Sequence, residues 1–332
     1  MKRCDDKVAN GLHGFTANRI DEGEEEEGRA APSLKRIGSS FLNLWQYDLG
    51  VGNMDTKEWE LDPEAVHIKQ MIGRGSFGKI FKGVYEGQVI AAKYIASDSS
   101  QEFDHVKEFM QEIALLSQIK HENIVDFVGA CTKQTNVCIV YEYMERGNIR
   151  NHLIKAKPKL PKLMDYALAI ARGMVYLASK NIIHRDLKAQ NILMSKGGEI
   201  KIGDFGVARL LVGGEECHTA ETGTYRWMAP EVIDHKPYGH AADVYSFGLV
   251  LWELVTHGRM PYELLSPVQA AVGVSKHGLR PKIPSSCPDF VSEIMKACWQ
   301  PAPGDRPTFE EIVVLLEQAK IKAEGLRTFH KA

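Results

Sequence analysis

The hydrophobic period of the chain changes once, near Gly147 and Asn148. Ahead of that point, from Ile68 on, runs such as KIFKGVY and QVIAAKYI read as strands, whose side chains alternate faces at every residue. Glu-Gly joins these two, and glycine accepts the positive φ that a tight hairpin turn needs. FDHVKEFMQEIALLSQI then places Val106, Phe109, Met110, Ile113, Leu116 and Ile119 on a helical period, and NVCIVYEYM gives another strand that stops at ERGN. Past the change the long patterns are helical, and only IIH, NILM and EIKIGDF read as short extended runs. Strands followed by helices predict an α+β chain with a small sheet lobe and a larger helical lobe, hinged at Gly147 and Asn148.

At 332 residues the chain is long enough for two such lobes. Lys plus Arg number 41 against 43 Asp plus Glu, a net charge of −2 that offers no basic excess for nucleic acid or an anionic membrane. The first 60 residues carry eight basic and twelve acidic side chains, a net of −4, so the remainder stands at +2. This stretch includes DEGEEEEG, keeps no period and is expected to be a mostly disordered leader. Its apolar pieces at 41–49 and 59–62 (WELD) are candidates to dock on the body, a solvated linker being the favoured reading of the first. Six cysteines (Cys4, Cys131, Cys138, Cys217, Cys287, Cys298) lack C-x-x-C pairs or a histidine at zinc spacing, which points to a reducing compartment. With no signal-type start, no lipidation box and no apolar run of about 18 residues, a soluble, cytoplasmic protein is expected.

The run IIHRDLKAQNILM, 182–194, sets His184, Arg185, Asp186, Lys188 and Asn191 between apolar residues. Burying polar groups without partners costs about several kcal/mol, so such a cluster exists to hold something. GRGSFG, from Gly73 to Gly78, has the G-x-G-x-x-G spacing that lets backbone amides approach phosphate. A dinucleotide fingerprint would open a helix, whereas this one continues into a strand and hairpin and reads as a loop folded over a nucleotide. Lys93 shares a strand face with Ala91. A lone strand lysine is usually a solvated edge charge, but beside a glycine loop it can reach phosphates while Ala91 leaves room for a flat base. Glu112, at the border of the helix's inward stripe, is placed for an ion pair with Lys93.

In their order, Gly73, Gly75, Gly78, Ala91, Lys93, Glu112, HRDLKAQN, DFG at 204–206, APE at 229–231, DVYSFG at 243–248 and GDRP at 304–307 resemble a protein kinase domain. The resemblance covers about 68–316 and implies the two-lobed kinase fold, with a small antiparallel-sheet lobe and one main helix. It places a kinase domain at 61–325, divided into 61–146 and 147–325, with a tail at 326–332. It implies ATP and Mg2+, or Mn2+, as cofactors. By the resemblance Asp186 orients the acceptor hydroxyl and takes its proton, Lys188 accompanies it, Lys93 paired with Glu112 holds the nucleotide phosphates, and Asn191 and Asp204 bind the metal. The ATP site it implies comprises Ile72, Gly73, Arg74, Gly75, Ser76, Phe77, Gly78, Ile80, Ala91, Lys93, Tyr141, Glu142, Met144 and Leu193. Tyr141 would stand at the back of the adenine pocket, where smaller residues are frequent, and narrow it.

Lys188 with Thr224 resembles serine/threonine kinases, whereas RWMAPE and DVYSFGLVLWEL look tyrosine-kinase-like. That mixture, with TAETGTYRWMAPEVIDHKPY and PVQAAVGVSKHGLRPKIP, resembles the tyrosine-kinase-like group and, within it, plant Raf-like MAP kinase kinase kinases. A signalling serine/threonine kinase is implied, with some tyrosine phosphorylation as an addition and a non-catalytic scaffold as the competing reading. Implied partners are a protein substrate such as a downstream kinase, an upstream activating kinase and a second copy in a side-by-side dimer, without nucleic acid or membrane insertion. Thr219 or Thr222 is the expected activating phosphosite, with Arg185 pairing the phosphate. Thr224 is expected to be structural, as are a buried Glu231–Arg306 ion pair and Asp243, Arg280 and His184. Cys217 is read as an inert thiol.

Overall fold

The computed structural model describes residues 59–75, 78–95, 102–132, 137–211 and 224–329. Strands β1 (His67–Gly75), β2 (Gly78–Tyr85), β3 (Gln88–Ile95), β4 (Phe127–Cys131) and β5 (Cys138–Glu142) form one antiparallel sheet in the order β1-β2-β3-β5-β4. The β2–β3 turn is Glu86-Gly87, at φ of 46° and 79°, the two-residue geometry whose twist matches its flanking strands. The register sets Lys93 opposite Ile80 on β2 and Ile139 on β5, and Ala91 opposite Lys82 and Tyr141. Helix α1 (Glu102–Leu116) buries Phe109, Met110, Ile113 and Leu116 on the expected stripe, while the side chain of Val106 lies outside the described residues.

Neither β1 nor β4 is legible as a strand in the sequence. β1 leaves Ile68, Met71 and Ile72 exposed and pairs with β2 through two register shifts, which break the alternation. β4 is short and interrupted by Gly129, where a Cβ would lie 2.6 Å from the Trp59 carbonyl oxygen and from Leu61. That close approach belongs to the WELD segment, which docks here. The Ala130 amide donates to Trp59 O at 2.9 Å, the Leu61 amide donates to Ala130 O at 2.8 Å, and the Glu60 carboxylate accepts from the Thr132 amide and hydroxyl at 3.0 and 2.6 Å. The other docking candidate, 41–49, lies outside the described residues.

The helical part contains α2 (Ile149–Ala156), α3 (Leu160–Ser179), α4 (Pro230–Ile233), α5 (His240–Val255), α6 (Pro267–His277), α7 (Asp289–Cys298) and α8 (Phe309–Phe329). At the change of period Gly147 takes φ of 67°, and the Asn148 side chain caps α2 by accepting from the Asn151 amide at 3.0 Å. Between α3 and α4 two short ladders pair β6 (Ile182–Ile183) with β9 (Arg209–Leu210) and β7 (Ile192–Met194) with β8 (Ile200–Ile202). β9 is too short to register in the sequence. Among the described residues no helix is long and apolar enough to cross a membrane.

Helix α5 is buried on every side, yet it carries two acids that organise the segment from His184 to Asn191. Asp243 accepts the amides of His184 and Arg185 at 2.8 and 2.9 Å. Glu253, fully buried, accepts the Ala189 amide at 3.0 Å and the Trp227 indole N–H at 2.9 Å through one oxygen. Its other carboxylate oxygen is buried with no hydrogen-bond partner. Farther along, Arg306 holds the Glu231 carboxylate in a two-pronged bond of 2.6 and 2.8 Å and also donates to the carbonyls of Ala241, Gln300 and Pro301.

Two outcomes are expected. Arg306→Leu strands the buried Glu231 carboxylate and should lower unfolding free energy by about 3 to 5 kcal/mol; a loss under about 1 kcal/mol in urea unfolding would show the pair to be dispensable. Burial pushes the Glu253 carboxyl up to about 7, so folding favours its neutral form. That stabilisation is complete below the ordinary carboxylate range and is lost as pH rises through about 7. Glu253→Gln keeps an acceptor for both N–H groups and should flatten the decline in stability between pH 5 and 8; parallel curves for the two proteins would rule this out.

Candidate active site

Lys93, on β3, is 5 % exposed, and its ammonium lies 2.9 and 3.1 Å from the two oxygens of Glu112 on α1. It also reaches Asp204 at 3.3 Å. Burial on its own would pull the Lys93 ammonium down, but Glu112 and then Asp204 outweigh it, and the group titrates above the ordinary lysine range. Asp204 shows the mirror image: burial would raise its carboxyl, Lys93 lowers it more, and the carboxylate stays ionised. The Tyr141 hydroxyl, from β5, donates to the same Glu112 carboxylate.

Across the cleft, Asp186 sits on the segment held by Asp243 and Glu253. Its carboxylate accepts from Lys188 Nζ at 2.5 Å, from Asn191 Nδ2 at 2.9 Å and from the Thr224 hydroxyl at 3.0 Å. Lys188 also donates to Thr224 at 2.6 Å, which closes a triangle of three side chains. Asn191 spends its amide nitrogen on Asp186, both carboxylate and backbone carbonyl. Asp204 and Arg185 take left-handed backbone conformations at φ of 60° and 65°. The Arg185 guanidinium donates to Val207 O and, at 3.3 Å, to the Tyr238 hydroxyl.

A cavity of about 460 Å3 lies between these two groups. Ile72, Gly73, Arg74, Ile80, Ala91 and Lys93 line it from the sheet, Tyr141, Glu142 and Met144 from the connecting strand and its end, and Leu193, Lys188, Asn191 and Asp204 from the helical part. The cavity thus gathers most of the residues read from the sequence. Gly75 and Gly78 pair with each other where β1 meets β2, outside its lining, and a Cβ on Gly78 would strike the Tyr94 carbonyl oxygen. Glu112 and Asp186 also lie outside the lining: Glu112 touches it through Lys93, and Asp186 through Lys188 and Asn191. Ser76, Phe77, Cys217, Thr219 and Thr222 lie outside the described residues.

Several lining residues escape sequence reading. Val125, Tyr143 and Gln190 also face the cavity, and their types carry no signal of their own. Glu253 leaves a legible trace, an acid inside the apolar run SFGLVLWELV, where a side chain with nothing to hold would be costly. Among the described residues no group of three or more His, Cys, Asp or Glu could chelate a metal unaided. Asn191 and Asp204, both on the cavity wall, suit instead a magnesium ion that keeps waters and shares its shell with phosphate oxygens.

Residues 66–316 match the model of a family described as protein tyrosine and serine/threonine kinase. Over 265 residues the chain is 47% identical to the serine/threonine-protein kinase STY17 of Arabidopsis thaliana, which covers 79% of this chain and 46% of that protein. It is 38% identical over 313 residues to the serine/threonine/tyrosine-protein kinase HT1 of Arabidopsis thaliana, covering 91% of this chain and 78% of that protein. A mitogen-activated protein kinase kinase kinase of Drosophila melanogaster is 38% identical over 291 residues, covering 83% of this chain and 25% of that protein. The chain therefore spans a little under half the length of STY17. A family match that runs through the sheet and the helical part alike, with most of one relative's length aligned, makes the chain a member of the protein tyrosine and serine/threonine kinase family.

Proposed function

We propose that the chain is an ATP-dependent serine/threonine protein kinase of Raf-like kind that transfers the γ-phosphate of ATP to protein hydroxyls in intracellular signalling. One observation carries the reading: a single cavity of nucleotide size brings Lys93, which Glu112 holds from behind, together with Lys188, Asn191 and Asp204, and Lys188 and Asn191 in turn hold the Asp186 carboxylate. In this reading Lys93 binds the nucleotide phosphates, and Glu112 keeps its ammonium aimed and charged. Asn191 and Asp204 hold Mg2+, which neutralises charge on the phosphate oxygens when bound. The adenine lies between Ala91 and Leu193, against the main chain near Glu142 and Met144, with Tyr141 closing the back.

Asp186 orients the acceptor hydroxyl and accepts its proton, and three donors, one of them the Lys188 ammonium, fix the carboxylate in place. Phosphoryl transfer asks for little covalent help, so positioning and charge neutralisation supply most of the acceleration. Lys188 beside Thr224, bonded at 2.6 Å, resembles the pairing of serine/threonine kinases, which favours serine and threonine over tyrosine as the main target. The kinase domain is taken as 61–325, divided at 146 and 147. Phosphorylation of Thr219 or Thr222, read by Arg185, is the proposed activating event. An upstream kinase, a downstream kinase as protein substrate, a side-by-side dimer and a cytoplasmic setting complete the proposal. The kinase kinase kinase among the relatives supports the downstream kinase.

The test is magnesium-dependent transfer of labelled γ-phosphate to a generic protein acceptor, followed by phosphoamino-acid analysis. Wild type should give phosphoserine and phosphothreonine, and Lys93→Met and Asp186→Asn should each fall by at least about a hundredfold. Equal labelling by wild type and Asp186→Asn would refute the assignment of Asp186, and phosphotyrosine alone would refute the specificity.

A further inference from the structure

Tyr141 does more than its place in the cavity wall requires. On the sheet it stands opposite Ala91, while Lys93 stands opposite Ile139, so Tyr141 and Lys93 are diagonal neighbours on one face. Both end on the same group. The Tyr141 hydroxyl donates to Glu112 Oε1, which also accepts Lys93 at 3.1 Å, and Lys93 binds Oε2 at 2.9 Å. The carboxylate they share is 2 % exposed. Closing the back of the cavity needs only the aromatic ring, so the hydroxyl is left to be explained.

We propose that the Tyr141 hydroxyl is a positioning group that holds the Glu112 carboxylate, and with it helix α1 and Lys93, in the arrangement needed for phosphoryl transfer. The inference rests on the kinase reading above. Its physical basis is competition for the ammonium of Lys93. That ammonium is shared by Glu112 and Asp204, and nucleotide phosphates would draw its donors further away from Glu112. A phenol anchored on a sheet strand is not drawn away. Burial, and then the neighbouring Glu112 charge, hold its proton on throughout the neutral range, so it remains a donor. Tyr141 therefore ties the strand leading to the interlobe connection directly to α1, and keeps the carboxylate in place when Lys93 turns to phosphate.

The test compares full-length wild type with Tyr141→Phe, which keeps the ring, and Tyr141→Met, which keeps an apolar side chain without a hydroxyl. Steady-state kinetics and amide hydrogen exchange of residues 102–116 are read on each. Both variants should lose about tenfold in kcat, with KM for ATP within about twofold of wild type, and α1 should exchange faster in both. Wild-type kcat together with wild-type exchange in α1 would overturn the proposal. So would a rise in KM at unchanged kcat, which would confine the hydroxyl to the nucleotide pocket. Should wild type itself transfer no phosphate, the kinase reading fails alone, and the exchange of α1 still decides whether the hydroxyl holds the helix.

Discussion

A charged lysine buried to 5 % exposure is stable only if its surroundings supply the charge that water no longer does, and here Glu112 and Asp204 supply it. The three residues come from a strand, a helix and the loop after β8. Their meeting fixes the relation of those elements to one another. The β2–β3 register must put Lys93 on the cavity face, the apolar stripe of α1 must turn Glu112 inward, and the chain must take a left-handed turn at Asp204. Each of these would otherwise be an independent choice, and the ion pair makes them one.

The opposite wall depends on helix α5. Arg185 adopts a left-handed conformation that costs about 1 to 3 kcal/mol for a residue with a side chain. Asp243 offsets that cost by accepting the successive amides of His184 and Arg185. Glu253 performs the same service at Ala189 and extends it to Trp227, so one helix holds both ends of the loop that carries Asp186. Rigidity on that side contrasts with the Glu112 side, where the fixed partners are side chains rather than backbone. The Asp186 carboxylate thus sits on a loop whose backbone is bound at both ends by α5.

The long periodic elements were legible because burial enforces their period. The stripe on α1 and the Glu86-Gly87 hairpin are where the residues predict them. β1 and β4 were not, since bulges, a glycine and exposed apolar residues erase alternation. The site shows the same division. Asp186 and Asn191 stand out as polar side chains between apolar runs that demand partners, Lys93 and Glu112 by their places beside the glycine loop and on the helix, and Asp204 only through the motif order of the kinase resemblance. Val125 and Gln190 do not stand out, because their place in the cavity wall comes from folding alone. The role of Tyr141 lies between: its size marks it as a narrowing residue, but the bond to Glu112 appears only when β5 and α1 are brought together.

Glu112 is expected to act through Lys93, and nucleotide affinity tests this without requiring an active enzyme. Dissociation constants for Mg-ATP should be measured for wild type, Lys93→Met, Glu112→Gln and the double variant. If the pair is one unit, Glu112→Gln weakens binding in the wild-type background and has almost no effect once Lys93 is methionine. An equal loss in both backgrounds would mean that Glu112 reaches the nucleotide by another route and that the two residues do not act as a pair.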